Sequence, residues 1–244
     1  MMTQDKQLSG KPLISIVIVT YNAGQMLQQC LDSIYAQTYQ PLEIIVIDGK
    51  STDDTVSILK KNTAYIAFWK SDKDNGIYDA MNKALKHING KWVYFLGADD
   101  ELLPAFSDFA QTLAEPNVIY YANVWHNGVK RSCEVSAYYM AKVGIYHQAI
   151  IYPAAVFKKH KYNERYRIAA DYALNMALYH DKAFHFIHKD FIIAKYNHTG
   201  VSATIIDEPF EKDKSSLIRK NFGFKIWLRF MFRQIKSQLR VKKD

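Results

Sequence analysis

Two adjacent carboxylates, Asp99 and Asp100, directly follow an apolar segment that ends at Gly97-Ala98. Carboxylate oxygens are hard ligands that suit Mg²⁺ or Mn²⁺, and these ions commonly bind substrate phosphates as well. Acidic residues are also common at helix N-termini, and Pro104 predicts a helix shortly after the pair. The pair alone therefore leaves a metal site and a helix cap as alternatives.

Two further carboxylates border predicted elements. Asp48 ends an apolar run and precedes Gly49, so it could accept a hydrogen bond from a nucleobase while the glycine allows close backbone approach. Asp171 begins a predicted helix, where it could act as a general base or simply complement the helix dipole. The chain lacks a Walker loop and a GxGxxG loop after its first apolar run, which excludes two common phosphate-binding motifs.

The elements that position these carboxylates can be predicted from apolar runs. We expect strands at Leu13–Thr20, Leu42–Ile47, Tyr65–Trp69, Trp92–Leu96 and Val118–Ala122. Segments with helical periodicity separate them, which predicts an α/β fold with a mostly parallel central sheet flanked by helices. Ligands of such sheets bind beyond the carboxyl ends of the strands. We therefore expect the polar residues at these strand ends to converge.

The second half of the chain is less regular. After about Ala122 the alternation of strands and helices weakens, although Ala169–Tyr179 is predicted to be a helix. No internal repeat or linker-like stretch is present. We expect this half to cover the open edge of the sheet within the same domain.

Composition and charge limit the function classes. The chain has 244 residues, 49% of them hydrophobic, 23% charged and only two cysteines, which indicates a globular protein without a disulfide framework. No signal peptide and no run of about 18 apolar residues is visible, so we expect no membrane-spanning helix. The net charge is +8, but Lys212–Asp244 alone contributes +9. Because the remaining body is near neutral, a nucleic-acid-binding face is not expected there.

The basic tail has amphipathic helical spacing. Its apolar residues are Phe224, Trp227, Leu228, Met231, Ile235 and Leu239, interleaved with Lys225, Arg229, Arg233, Lys236 and Arg240. Such a helix can lie in an anionic membrane interface. It can also pack on the body with a solvated basic face. We expect a boundary between a domain at residues 1–207 and a tail at 208–244, with residues 217–243 as the possible membrane contact.

Several motifs together resemble glycosyltransferase family 2, whose members are inverting enzymes with the GT-A (Rossmann-like) fold. The matching segments are Ser15–Asn22, Ile47–Thr55, Ser71–Lys83, Phe95–Asp100, His147-Gln148 and Ala170–Tyr172. Their order and spacing follow the family from about residue 13 to about residue 200. The segment Gly76–Lys83 is most similar to the bacterial polysaccharide-assembly branch, including colanic-acid-type transferases.

The resemblance implies a role for each matching residue. A nucleotide sugar, most simply a UDP-sugar, would be bound by Thr20, Tyr21, Asn22, Asp48, Asp72, Asp74, Gly76, Asp79, Lys83, Ala98 and Asp99. Asp99, with Asp100 beside it, would bind Mn²⁺ or Mg²⁺, and Asp171 would be the catalytic base. His147 and Gln148 would line the acceptor side. The acceptor would be a saccharide or a polyprenyl-diphosphate-linked saccharide, in surface polysaccharide biosynthesis.

The chain departs from the family pattern at three positions. Gly97 replaces the first acid of the metal-binding motif, Lys50 replaces a common glycine, and Ala170 replaces an acid that often precedes the base. A catalytically inactive nucleotide-sugar binder therefore remains an alternative. A nucleic-acid-binding protein and a sugar nucleotidyltransferase are disfavoured, the latter because Thr20–Gly24 is not a Gly-rich basic loop. We expect a cytoplasmic enzyme, peripheral on the inner face of the cytoplasmic membrane, with no nucleic-acid partner.

Overall fold

The computed structural model describes residues 10–197 and 206–241, with side chains up to residue 236. The strands are β1 (Ile14–Thr20), β2 (Leu42–Asp48), β3 (Phe68–Ser71), β4 (Trp92–Gly97), β5 (Glu101–Leu102), β6 (Val118–His126), β7 (Val129–Arg131), β8 (Ile150–Pro153) and β9 (His185–Tyr196). The α-helices are α1 (Leu27–Tyr35), α2 (Thr55–Lys61), α3 (Ile77–Ala84), α4 (Ala105–Gln111), α5 (Ala137–Lys142), α6 (Val156–Lys159), α7 (Ala170–His180) and α8 (Glu208–Val241). A 3₁₀ helix spans His147–Ala149.

One sheet contains all of these strands. Its order is β3-β2-β1-β4-β8-β6-β9-β5, and β7 pairs with the outer part of β6. The first four strands in this order are parallel, whereas β8 is antiparallel to both of its neighbours. The predicted α/β class with a largely parallel central sheet is therefore confirmed, with an antiparallel extension on one side.

The parallel half places its strand ends at a single edge. Thr20 pairs with Asp48, Asp48 with Ser71, and Val19 with Gly97. Apolar β1 is buried along nearly its whole length, and helix α1 turns Leu27, Leu31 and their apolar neighbours onto the sheet. Burial on both faces explains why these strands are continuous apolar runs.

The second half of the chain extends the sheet as well as flanking it. Strand β8 inserts between β4 and β6, and β9 runs parallel to β6 from Val118↔His185 onward. As expected, this half covers the open edge of the parallel strands, and it does so by adding strands to the sheet. Strand β8 pairs with the backbone N–H and C=O groups along this side of β4. These groups would be unpaired if β4 were an edge strand.

The C-terminal helix α8 contains a sharp break. Gly223 has φ 81° and ψ 172°, a conformation that essentially only glycine adopts. Trp227 Nε1 donates to Ser215 Oγ at 2.9 Å, and Ser215 Oγ lies 3.4 Å from Met231 Sδ. In a continuous helix residues 215 and 231 would be about 24 Å apart. The two halves of α8 therefore fold back on each other as a helical hairpin.

The hairpin packs on the body of the protein. The ring of Phe210 lies 5.0 Å from that of Tyr172 on α7, and the guanidinium of Arg229 lies 4.0 Å above the ring of Tyr138 on α5. The predicted basic C-terminal helix is therefore present. Among the described residues, none of the helices combines the length and the apolar character that crossing a bilayer requires.

Candidate active site

A cavity of about 700 Å³ opens beyond the carboxyl end of β1. Four chain segments form its walls: the end of β1, the loop before α3, the loop before α7 and the start of α8. The polar or charged lining residues include Thr20, Tyr21, Asp74, Asn75, Arg165, Arg167, Asp207 and Glu208. We name this space the β1 cavity. Of the residues predicted to bind the nucleotide sugar, Thr20, Tyr21, Asp74 and Gly76 line it together.

Thr20 and Asp48 differ in how their polar atoms are satisfied. Thr20 Oγ1 is buried and has no hydrogen-bond partner within the described residues. Such an unpaired hydroxyl costs about 1–3 kcal/mol. Asp48 is fully buried, and its carboxylate accepts from Ser51 N at 3.0 Å and from Ser71 Oγ at 2.5 Å. Asp48 is therefore held in one orientation, whereas the Thr20 hydroxyl is buried without a partner among the described residues.

Asn22 ties the loop after β1 to the loop after β2. Its backbone N donates to Ser51 Oγ at 2.7 Å, and its Oδ1 accepts from Thr52 N at 2.9 Å. Asn22 and Lys50 both have positive φ, 51° and 66°. The left-handed backbone at Lys50 gives a physical reason why glycine would be favoured at that position.

Asp72 and Asp74 follow β3 but have different surroundings. The backbone N of Asp72 donates to Asp48 O at 2.9 Å, while its exposed carboxylate lies 3.1 Å from Lys70 Nζ. Asp74 lies against Gly49, because a Cβ built on that glycine would come within 2.7 Å of Asp74 Oδ2. The glycine therefore allows Asp74 to reach the wall of the β1 cavity.

Asp79 and Lys83 brace the loop before α3 from outside the β1 cavity. Asp79 Oδ2 accepts from Asn75 N at 2.8 Å and lies 2.9 Å from Lys83 Nζ. Lys83 Nζ also donates to Lys73 O at 3.1 Å. The structure does not bring these two side chains together with Thr20, and the contacts we observe position the loop.

The two carboxylates that follow β4 differ in burial. Asp100 is buried, and its oxygens accept from Gln148 Nε2 at 2.7 Å and from Asn197 N at 3.0 Å. Burial raises the pKa of the Asp100 carboxyl above its ordinary value. Asp99 is partly exposed. The helix-cap alternative is wrong, because strand β5 follows the pair and helix α4 begins only at Ala105.

Gly97 leaves the space that these carboxylates occupy. A Cβ built on Gly97 would lie 2.6 Å from Asp100 Oδ2 and 2.9 Å from Asp99 Oδ1. Ala98, the next residue, is buried. A side chain at position 97 would therefore require the acids to move.

A divalent ion in this loop would need ligands from water and substrate as well as from the protein. Within residues 10–197 and 206–241 no three His, Cys, Asp or Glu side chains are grouped as a metal site. Mg²⁺ and Mn²⁺ nevertheless bind through one or two carboxylates together with waters and substrate phosphates. Asp99 and Asp100 can supply such carboxylates, and Asp100 also accepts two hydrogen bonds from the protein.

Asp171 lies in the first turn of α7 and contacts a tyrosine from α3. The hydroxyl of Tyr78 lies 2.7 Å from Asp171 Oδ1 and 2.8 Å from Ile168 O, and both of these atoms are acceptors. Burial, followed by the charge of Asp171, raises the pKa of Tyr78 well above its ordinary value. Tyr78 therefore stays protonated, and its single hydroxyl proton is available to either of these two oxygens.

A second cavity, of about 280 Å³, borders Asp171. We name it the Asp171 cavity. His147 and Gln148 line it together with Asp171, as do the aromatic residues Tyr139, Tyr146, Tyr172 and Tyr196. Ile168 lines both cavities. The structure thus places the predicted base and the predicted acceptor-side residues around one space that adjoins the β1 cavity.

Comparison with known proteins decides the family. The family model described as Glycosyl transferase family 2 matches residues 15–187. The chain belongs to glycosyltransferase family 2. This glycosyltransferase is 35% identical over 218 residues to a "PGL/p-HBAD biosynthesis glycosyltransferase" of Mycobacterium bovis, covering 82% of this chain and 83% of the relative. It is also 35% identical over 104 residues to the "Uncharacterized glycosyltransferase YibD" of Escherichia coli K12, covering 41% and 30% of the two chains.

Solved structures show the same fold. S. aureus TarS 1-349 in complex with UDP-GlcNAc superposes with a TM-score of 0.67 at 20% identity, covering 84% of this glycosyltransferase and 64% of that chain. The mannosyltransferase PcManGT from Pyrobaculum calidifontis, in complex with GDP-Man and Mn²⁺, gives 0.63 at 17% identity, covering 87% and 63%. This glycosyltransferase therefore spans slightly less than two thirds of each solved chain. The GT-A fold inferred from the motifs is confirmed.

Some contacts of this glycosyltransferase were missed by the sequence analysis. Tyr78 lies within the matching segment Ser71–Lys83, but its partner Asp171 is 93 residues away in the chain. Arg167 and Asp207 line the β1 cavity without any motif that marks them. Arg167 lies four residues before Asp171 in the chain, which is the one local signal for a basic residue near the predicted base.

Proposed function

We propose that this glycosyltransferase transfers a sugar from a nucleoside diphosphate sugar to a hydroxyl of a saccharide, with inversion at the anomeric carbon. The main support is the β1 cavity at the end of the parallel strands, which Thr20, Tyr21, Asp74 and Gly76 line, next to a second cavity that holds Asp171. The first cavity would take the donor and the second the acceptor. UDP is the favoured nucleotide, since TarS has been solved with UDP-GlcNAc and with UDP. GDP is the alternative, since PcManGT has been solved with GDP-Man.

The proposed reaction is a single displacement. Asp171 takes the proton of the acceptor hydroxyl, whose oxygen forms a bond to the anomeric carbon. The bond between that carbon and the phosphate oxygen breaks, and its electron pair leaves with the nucleoside diphosphate. General-base assistance of this kind contributes typically about 10²–10⁴-fold in rate. Tyr78 would orient the Asp171 carboxylate through the 2.7 Å hydrogen bond.

The charge of the leaving diphosphate needs a counter-charge. We propose that Asp99 holds Mn²⁺ or Mg²⁺, while buried Asp100 fixes the loop through Gln148 and Asn197. When bound, the ion would act as a Lewis acid toward the diphosphate. Arg167, which lines the β1 cavity, would add positive charge from the protein.

The proposed function also includes an acceptor, a place in the cell and a division of the chain into two parts. The acceptor would be a saccharide or a polyprenyl-diphosphate-linked saccharide of surface polysaccharide biosynthesis. The protein would be cytoplasmic and peripheral on the inner face of the cytoplasmic membrane, with residues 217–243 as its contact. Residues 1–207 would form the catalytic domain and residues 208–244 the appended helical tail.

The substitution Asp171→Asn tests the proposed base. We expect the rate of transfer to fall by about 10²–10⁴-fold, because the amide cannot take the acceptor proton. Thermal stabilisation by the donor should persist, since Asp171 lines the other cavity. The control is Asp108→Asn, which changes an exposed carboxylate of α4.

Two outcomes would change this assignment. Transfer by Asp171→Asn within a few-fold of the unsubstituted protein would show that another group is the base. Donor binding without any transfer by the unsubstituted protein, across a panel of saccharide acceptors, would instead support the inactive nucleotide-sugar binder.

A further inference from the structure

The second half of α8 presents an exposed apolar face. Phe224, Leu228, Phe232 and Ile235 are 58%, 47%, 73% and 53% exposed. Their spacing of four, four and three residues places them along one side of a helix. Phe230, by contrast, is buried against the body. The helix thus uses one face to pack on the protein and leaves the other apolar face to solvent.

Basic side chains flank this face and no acid interrupts it. Lys225, Arg229, Arg233 and Lys236 are all exposed, and the sequence has no Asp or Glu from Lys214 to Lys243. An exposed apolar face with a basic border is complementary to an anionic lipid surface, which takes up apolar side chains below its charged headgroups. A nucleic acid would provide the negative charge but not the apolar layer.

Helix α5 connects this face to the Asp171 cavity. Lys142 of α5 lines a groove together with Leu228 and Phe232 of α8. On the same short segment, Tyr139 and Val143 are about half exposed and line the Asp171 cavity. Exposed apolar side chains therefore continue from α8 to the rim of the cavity that holds the proposed base.

We infer that the exposed face of α8 between Phe224 and Lys236, continued by Tyr139 and Val143, docks on an anionic phospholipid bilayer. Docking in this way holds the Asp171 cavity at the level of the headgroups. The acceptor is then a sugar carried by a lipid in that bilayer. This docking deepens the proposed function, on which it rests, by naming the face that contacts the bilayer and the cavity that it brings there.

Sedimentation with vesicles tests the docking. The full-length protein is mixed with vesicles of phosphatidylcholine alone or of equal parts phosphatidylcholine and phosphatidylglycerol. We expect binding to the anionic vesicles, and a decrease of about tenfold or more for Phe232→Ser with Ile235→Ser. Arg233→Gln with Lys236→Gln should cause a similar decrease, and salt should weaken binding of the unsubstituted protein.

The controls match the substitutions in type and exposure. Tyr65→Ser removes an apolar side chain that is 70% exposed elsewhere on the surface, and Lys60→Gln with Lys61→Gln removes two exposed charges from α2. These variants should bind vesicles as the unsubstituted protein does. Thermal unfolding should show every variant folded, because all the substituted side chains are exposed.

Val143→Glu tests whether the surface reaches the Asp171 cavity. We expect this change to weaken vesicle binding about as much as a single substitution in α8, such as Phe232→Ser alone, does. Unchanged binding would overturn the placement of the cavity at the headgroups. Unchanged binding by both α8 double variants would overturn the docking surface as a whole.

Measurements on the same variants would show whether a nucleic acid or a second copy of the chain, rather than a bilayer, occupies this face. Binding to a single-stranded oligonucleotide but not to anionic vesicles would overturn the proposal in favour of a nucleic acid. A dimer that Phe232→Ser with Ile235→Ser converts to a monomer, with vesicle binding unchanged, would overturn it in favour of a second copy. Thermal stabilisation by UDP-sugars is measured in parallel without vesicles, so a failure of the proposed function is seen separately.

Discussion

At the scale of single residues, the geometry of the candidate active site depends on Gly97 and Tyr78, to which we assign no catalytic role. Gly97 replaces the first acid of the family's metal-binding motif, and a Cβ at this position would meet both Asp99 and Asp100. Tyr78 follows the cavity-lining loop and donates toward Asp171. The sequence could supply the acids themselves, but not these partners, because which side chains touch is decided by packing between distant segments.

Gly97→Asp, which restores the family's usual acid, should impair the enzyme. The new side chain would clash with the carboxylates of Asp99 and Asp100 and add a third negative charge beside them. We expect a lower melting temperature and lower transfer activity at saturating Mn²⁺. Gly97→Ala serves as the control, since it adds the steric conflict without the charge. Tighter Mn²⁺ binding with full activity in Gly97→Asp would contradict this reading of the loop.

Tyr78→Phe should separate positioning from binding. Hydrogen bonds to charged groups contribute about 1.5–3 kcal/mol, so an Asp171 carboxylate that loses this bond should be less well oriented. We expect kcat to fall about tenfold or more while KM for the donor changes by less than about threefold. Steady-state kinetics measures both constants, with Tyr39→Phe as the control because the Tyr39 hydroxyl donates to Pro12 O instead. Equal changes in both variants would indicate a general loss of stability.

At the scale of elements, the first four strands of the sheet and the start of β6 could be predicted within a few residues, whereas β8 and β9 could not. Strands β1 and β4 are buried apolar runs, a pattern that is visible locally. Strand β9 is mostly half-buried and contains Lys189 and Asp190, so it has no comparable pattern. The insertion of β8 between β4 and β6 depends on pairing across some 57 residues, which local periodicity cannot reveal.

The tail was predicted correctly as an amphipathic helix. The sequence did not show which of its apolar residues pack inward and which are exposed. Trp227 and Met231 belong to the same apolar set as Phe224 and Leu228 in the sequence. In the structure Trp227 and Met231 contact Ser215 across the hairpin, while Phe224 and Leu228 are exposed. The reversal at Gly223 divides the set into an inward and an outward face.

Gly223→Ala should weaken the hairpin. The backbone at φ 81° and ψ 172° is a region that side chains adopt at a cost of about 1–3 kcal/mol. We expect the free energy of unfolding in urea to fall by that amount, or the contact between Trp227 and Ser215 to be lost. Gly10→Ala is the control, because nothing lies within 4 Å of a Cβ there. Unchanged stability and unchanged Trp227 fluorescence would show that α8 does not need the reversal.

At the scale of the whole molecule, Ile168 lines both cavities, and each cavity has polar groups of its own. The β1 cavity is lined by charged side chains such as Asp74 and Arg167, while the other holds the Asp171 carboxylate, which lies within hydrogen-bond distance of the Tyr78 hydroxyl. This arrangement favours a donor that brings charged and hydrogen-bonding groups to the first cavity. It also favours an acceptor that brings a hydroxyl to Asp171.

A panel of nucleotide sugars should therefore stabilise the protein selectively. We expect UDP-sugars with Mn²⁺ to raise the free energy of unfolding by about 2.7 kcal/mol at 100 times their dissociation constant. Chelation of the metal should reduce this effect, because the diphosphate loses its counter-charge. Thermal unfolding with UDP-, GDP- and dTDP-sugars measures the preference. Larger stabilisation by GDP-sugars would reassign the nucleotide, and none by any of them would contradict donor binding in the β1 cavity.

The hydrogen bonds of Asp207 have a practical consequence for protein engineering. Asp207 Oδ2 accepts from Ile168 N at 2.8 Å and from Ala169 N at 3.1 Å, just before the helix that carries Asp171. Six residues later, Asp213 Oδ2 accepts from Tyr166 Oη at 2.7 Å. A shortened chain that ends at Asp207 would lose part of the scaffold behind the proposed base. A shortened chain should therefore keep α8 at least through Asp213, and a cut at Gly223 would additionally remove the packing of Arg229 and Phe230 on the body.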